Sequence, residues 1–312
     1  MYKNKRVLLI AGGGTLGTYA SEALLERGYT VDVLCPEEKT SENKNLTFYR
    51  EYASPEVLRR LFSEKVYDGI IDFLHYHSVD EYKPYHKLLS ENTEQLIFLS
   101  SYRVYADKQH PITESAPLLA DVIRDDEAFL TTEDYAMPKT RCEAYLREES
   151  EAKNFTIVRP VISSSERRFD VVTVSGHEVL TAAAEGRTVL LPKAAQNLTA
   201  GLDWAGNSGR LIADLLFREG VLGETYTVSS AQNLTWGEVA EMYTSLVGTK
   251  FEWVDTEDYV KTGHGGYILF YDRLYDRAID NRKILKATGH APGDFVPIEE
   301  GIRRELEKLK KR

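Results

Sequence analysis

Over the first 160 residues, hydrophobic positions follow two periods in turn. Short, mostly uninterrupted apolar runs at residues 7–10, 31–34, 69–74, 95–100 and 156–158 predict buried strands. Between them, apolar residues recur at helical spacing over 18–27 (ended by Gly28), 54–65, 82–91 and 135–151. Ser54 followed by Pro55 predicts a capped start for the second of these helices. Apolar strands separated by helices predict an α/β fold, a Rossmann-type doubly wound parallel sheet covered on both faces. Within that sheet, Asp32 reads as an exposed strand residue.

After residue 160 the pattern loosens. Helical stretches at 178–185, 208–217 and 236–246 interleave with short strands at 188–191 and 225–228. This predicts a dinucleotide-binding domain over 1–165, to which the chain returns later, and a smaller C-terminal substrate-binding lobe over 166–312. Residues 107–134 are polar and acidic, with Pro111 and Pro117, and are expected to wrap over the surface. Trp204, Trp236 and Trp253 are scattered and read as packing residues.

Composition narrows the function. The formal charge of −10 disfavours a nucleic-acid partner, and the basic run from Arg303 to Arg312 reads as the solvated end of a helix. Cys35 and Cys142 are the only cysteines, too few for a disulfide framework or a cysteine metal site. The cluster Asp72, His75 and His77 fits no tight ligand spacing, and no metal is expected. No apolar run is long enough to span a membrane. The basic start, Met1 to Arg6, runs directly into an apolar strand and glycines instead of a signal core, so a cytoplasmic protein is expected.

The sharpest local signal follows the first strand: Ala11-Gly12-Gly13-Gly14-Thr15-Leu16-Gly17, opening a helix. Backbone N–H groups in such a turn, with the helix dipole behind them, suit a dinucleotide pyrophosphate. Gly14 would clear the pyrophosphate's path, and Gly17 would let the helix pack close to the strand. The second strand ends at Cys35 where an acid for the adenosine ribose is expected. Glu37 or Glu38 could replace it, and two carboxylates would repel a 2′-phosphate, which favours NAD while leaving NADP possible. His75, Ser100 and Pro160, at the ends of later strands, are expected to border the cofactor, with Tyr76 beside His75.

A second constellation supplies chemistry. Tyr135 and Lys139 lie one helical turn apart, downstream of Ser101 at the end of the fourth strand. The ammonium of Lys139 would favour the phenolate of Tyr135, which would exchange a proton with a substrate hydroxyl while hydride moves to or from the nicotinamide. Ser101 would hydrogen-bond the reacting oxygen.

These segments, with 99–105, 111–114 and 156–160, resemble the extended short-chain dehydrogenase/reductases of the NAD-dependent epimerase/dehydratase family. The stretch Val104-Tyr105 selects Ser101 over Ser100 by that resemblance. The resemblance implies a small-molecule substrate of the sugar-nucleotide class and a homodimer. Tyr102, Arg167, Arg168, Arg210 and Arg277 become candidates for substrate contacts. The chain departs from the family in several places. Ala11 stands for the first glycine, a mild change if its φ is negative, and Ala106 stands for the glycine after Val-Tyr. The insertion before Tyr135 is long, and 161–168 replaces the usual Tyr-Gly-Pro-Gly segment. Tyr102 and Arg103 after Ser101 disfavour a dehydratase. The alternatives are a reductase of a non-nucleotide small molecule and a non-catalytic cofactor sensor, the latter disfavoured by the presence of Ser101, Tyr135 and Lys139 together.

Overall fold

The computed structural model describes residues 5–310; Met1 to Asn4 of the basic start and Lys311-Arg312 of the basic end lie outside them. The first half runs β1 (Arg6–Ile10), α1 (Thr15–Glu26), β2 (Thr30–Cys35), β3 (Leu46–Arg50), α2 (Pro55–Glu64), β4 (Gly69–Asp72), α3 (Val79–Ser90), β5 (Gln95–Leu99), α4 (Leu119–Val122), α5 (Glu127–Thr132), α6 (Ala136–Glu148) and β6 (Phe155–Pro160). The second half follows with β7 (Ile162–Ser164), α7 (Gly176–Glu185), β8 (Thr188–Pro192), β9 (Leu202–Trp204), α8 (Ala205–Asp214), β10 (Thr225–Val228), α9 (Trp236–Val247), β11 (Lys250–Val254), α10 (Thr256–Tyr259), α11 (Arg282–Thr288) and α12 (Ile298–Lys310).

Seven parallel strands form the main sheet in the order β10-β6-β5-β4-β1-β2-β3. The order reverses between β1 and β4, which opens a crevice at their C-terminal ends, where such sheets bind ligands. Along β1 the side chains alternate: Val7 and Leu9 pack with α1 and α8, Leu8 and Ile10 with Leu58 and Leu61 of α2. Both faces are therefore covered, which is why the strands lack a polar face. The second half contributes β10 to the sheet edge, and α8 packs on α1. Its own apolar core gathers Trp236, Tyr243, Leu269 and Ile302.

Ser54 caps α2 as the sequence predicts, accepting from Val57 N–H at 3.3 Å. Other elements differ. The edge strand β3 lacks a predicted counterpart because it is half-exposed, with Thr47 and Arg50 breaking its apolar run. Helix α3 starts earlier, under a Ser78 cap. The 107–134 segment is acidic on its surface yet pinned by buried Ile112, Leu119 and Phe129, and it contains α4 and α5. Asp32 is fully buried, not exposed. It accepts from Arg6 at 3.0 Å, Lys65 at 3.1 Å and Tyr67 at 2.8 Å, because β2 lies inside the sheet and three donors close over its carboxylate. Trp236 is buried, Trp204 packs edge-on against Tyr19 at 5.2 Å, and Trp253 is half-buried in β11. No helix among the described residues is long and apolar enough to cross a membrane.

Candidate active site

The turn between β1 and α1 is shaped by close backbone approaches. A Cβ on Gly17 would overlap the carbonyl of Gly12, so this glycine lets the helix close on its own turn, not on the strand. A Cβ on Gly13 would lie 2.8 Å from the Cβ of Cys35. A Cβ on Gly14 would meet nothing, and this residue faces open space. Ala11 adopts φ = 53°, the left-handed region, so its replacement of glycine is a strained one rather than a mild one. Cys35 is buried beneath the turn, and desolvation, helped by Glu37, pushes its thiol pKa up. It fills space instead of presenting an acceptor. Glu37 reaches the edge of the turn beside Gly13, whereas Glu38 pairs with Arg50 at 2.8 Å. Lys39 donates to the Gly13 carbonyl at 2.6 Å, a contact that sequence reading missed.

One cleft of about 390 Å³ joins this turn to the second constellation. Ala11, Gly14, Thr15, Leu16 and Gly17 line one side, and Ser101, Tyr102, Arg103 and Tyr135 the other, with Pro160 to Ser163, Arg168 and Arg273 closing it. Gly12 and Gly13 are buried within the turn and do not line it. Tyr135 sits at the N-cap of α6, and its backbone N–H, like that of Met137, donates to Glu133 Oε2. Lys139, one turn on, is buried; its ammonium lies 5.6 Å from the Tyr135 ring centroid and donates to the Leu99 carbonyl at 2.6 Å. Burial lowers the Lys139 pKa, opposed by Tyr135 and Asp72. Ser101 caps the turn after β5, its Oγ accepting from Arg103 N–H at 3.2 Å. That leaves the hydroxyl proton for donation into the cleft.

The walls sort the remaining candidates. His75 does not itself line the cleft but stacks on Tyr135, which does, with centroids 5.4 Å apart, and its Nε2 meets the Asp134 carbonyl at 2.7 Å. Burial lowers its pKa and favours the neutral ring. Tyr76 does not border the cleft but is buried and donates to Asp72 at 2.8 Å. Burial pushes that carboxyl up to about 6. Ser100 is buried and does not line the cleft. Arg168 lines it while paired with Asp170 at 2.9 Å. Arg167 faces a smaller neighbouring cavity with Thr15, Thr18 and Lys39. Arg210 lies away from the cleft on α8, 3.9 Å from Asp214.

Arg277 also falls outside. It is buried, bonded to Asp272 at 3.0 Å and to the Tyr105 carbonyl at 2.9 Å. Its charge braces the lobe because Asp272, brought close by a turn, is its nearest counterion. Arg273, which sequence reading missed, reaches the cleft instead, bonded to Tyr102 Oη at 2.9 Å. Tyr102 in turn donates to Asp272 at 3.0 Å. Only spatial pairing across about 170 positions distinguishes the two arginines, and no local motif carries that signal. Among the described residues, no three His, Cys, Asp or Glu side chains converge as a metal site.

No protein-family model matches the chain, and no curated protein matches it in sequence. Solved structures do match. UDP-glucose 4-epimerase of Thermotoga maritima, solved with UDP-glucose, aligns at 17% identity over 98% of this chain and 99% of its own, with a TM-score of 0.70. UDP-glucuronic acid 4-epimerase of Bacillus cereus, solved with UDP-glucuronic acid and NAD, aligns at 15% identity over 98% and 99%, with a TM-score of 0.70. An NAD-dependent NDP-hexosamine 5,6-dehydratase of tunicamycin biosynthesis aligns at 17% identity over 98% of each chain, with a TM-score of 0.69. The chain therefore has, over nearly its whole length, the fold of these two epimerases and this dehydratase.

Proposed function

We propose that the protein is an NAD-dependent hydride-transfer enzyme of the epimerase type, acting on a hydroxyl or ketone of a sugar nucleotide. The observation that carries this reading is the single cleft with the glycine turn at one end and Ser101 and Tyr135 at the other. The turn fits the cofactor: Gly14, the N-cap of α1, is open where a Cβ would project, and no side-chain cap occupies that helix start, which suits an anion. Residues 14–17 would hold the pyrophosphate, and Glu37 would take the adenosine ribose. When bound, NAD would accept or return the hydride.

Tyr135 removes the hydroxyl proton as the carbinol is oxidised and returns it on reduction. Ser101 donates a hydrogen bond to the reacting oxygen. Lys139 holds positive charge behind the phenol, with the buried Asp72 carboxylate opposing loss of its proton. The sugar-nucleotide class is supported by the substrates bound in the similar structures. No carboxylate lines the cleft among the described residues, which argues against dehydration, a reaction that needs a further acid and base. One observation favours a smaller, non-nucleotide substrate as a second reading: Arg277, expected at a diphosphate, is buried outside the cleft and bonded to Asp272.

Tyr135→Phe is expected to cut turnover by roughly 10²–10⁴-fold while leaving NADH affinity within about twofold. Product analysis by NMR with a panel of nucleotide sugars, nicotinamide absorbance with small ketones, and NADH fluorescence titration give the readouts. Undiminished turnover in the variant, or no affinity of the wild type for either nicotinamide coenzyme, would refute the reading.

A further inference from the structure

We propose that Arg103 is the charge partner of Tyr135, a fixed cation laid against the phenol that favours its deprotonated form. The proposal rests on the reading of Tyr135 as the acid/base. Arg103 lines the cleft two residues after Ser101, and its guanidinium carbon lies 4.7 Å from the Tyr135 ring centroid, nearer than the Lys139 ammonium at 5.6 Å. A guanidinium over an aromatic face is attracted to its electron density, and more so once the ring carries a negative charge.

The two cations are not equivalent. Lys139 is buried and donates to the Leu99 carbonyl, and burial works against its charged form. Arginine does not deprotonate in proteins, so Arg103 stays charged across the working pH range. Its position is built rather than incidental. Glu133 Oε1 accepts from Arg103 Nη2 at 3.1 Å, while Glu133 Oε2 accepts the N–H groups of Tyr135 and Met137 at the start of α6. One carboxylate thus fixes the guanidinium to the helix end that presents the phenol. On the other side Arg103 Nε lies 3.9 Å from Asp272 and makes no hydrogen bond among the described residues.

The groups facing Tyr135 are Arg103 from the turn after β5, His75 from the loop after β4, Lys139 from α6 and Glu133 from the segment before it, with Asp72 behind Lys139. His75 is held towards neutrality by burial, so Arg103 and Lys139 are the cations and Glu133 and Asp72 the opposing anions. Removing Arg103's charge and removing Glu133's charge must therefore act on the phenol in opposite directions. A purely structural role for the pair would not produce that pattern.

The test needs no substrate. The full chain is labelled with carbon-13 at tyrosine Cζ and saturated with NAD⁺, and the Tyr135 resonance is assigned as the one lost in Tyr135→Phe. Its pH midpoint is then compared in wild type, Arg103→Met and Glu133→Gln. The expected result is a rise of about one pH unit in Arg103→Met, equivalent to a tenfold change in the phenolate fraction at fixed pH, and a fall in Glu133→Gln. An unchanged midpoint in Arg103→Met, or movement of both variants in the same direction, overturns the proposal alone. A wild-type Tyr135 that titrates with the bulk of the other tyrosines overturns the acid/base reading as well. Should Arg103→Met not fold, Arg103→Gln is measured in its place: a rise of the midpoint supports the proposal, and no rise overturns it.

Discussion

At the level of single residues, the most informative departure is Ala11. Its φ of 53° is one that a side chain with Cβ adopts only against a steric penalty. The surrounding turn, closed by Gly12 against Gly17, holds it there. Ala11→Gly should relieve that strain and, after the extra chain entropy of glycine in the unfolded state, raise stability by about 0.5–1 kcal/mol. Urea unfolding at neutral pH measures the gain; equal or lower stability in the glycine variant would show that the turn is not strained. The sequence named the position as a departure from the glycine pattern but could not supply its backbone angle. Arg103, Arg273 and Arg277 teach a similar lesson. Asp272 bonds both Arg273 and Arg277, yet only Arg273 lines the cleft, so which guanidinium reaches it depends on tertiary packing that no local pattern encodes.

Among elements, legibility followed burial. Strands β1, β2, β4, β5 and β6 were readable because both faces are covered and their runs are mostly apolar, Asp32 in β2 being a buried exception. The edge strand β3 and the helices inside 107–134 were not, since half-exposed or very short elements leave weak periodicity. Contacts between elements were harder still. His86 on α3 is buried and bonded through Nε2 to Ser150 beyond α6 at 2.7 Å, joining two helices on one face of the sheet. Burial lowers its pKa from 6.5 to about 4. The folded state therefore favours the neutral ring, so the stabilisation is complete above pH 6.5 and is lost as pH falls towards 4. The loss should reach about 2–3 kcal/mol over that window. In His86→Gln this part of the acid dependence should vanish, as measured by unfolding free energies at the two ends of the window. An identical slope in wild type and variant would mean that His86 is not the group responsible.

Across the molecule, the second half of the chain supports the first. Helix α8 approaches α1 so closely that a Cβ on Gly209 would lie 2.6 Å from the Cβ of Tyr19 and 2.9 Å from the backbone nitrogen of Ala20. Glu305 of α12 accepts from Trp204 Nε1 at 3.1 Å and from Glu166 N–H at 2.9 Å, and it also bonds Tyr19. Gly209→Ala should push α1 outward, cost about 1–3 kcal/mol of stability and weaken NADH binding, although the site lies outside the cleft. Denaturant unfolding and NADH titration of the variant check both effects, and wild-type values in both would contradict the coupling.

The strand β10 carries a consequence for how such a protein can be rebuilt. Because it pairs with β6 and arrives after α8, cutting the chain at residue 165 would leave β6 as an unprotected sheet border and α1 with a bare flank. The half that carries the glycine turn and the half that closes the cleft therefore cannot be separated without exposing both. A chimera meant to exchange substrate preference would have to graft around α8 and β10, keeping both from the parent that donates the glycine turn.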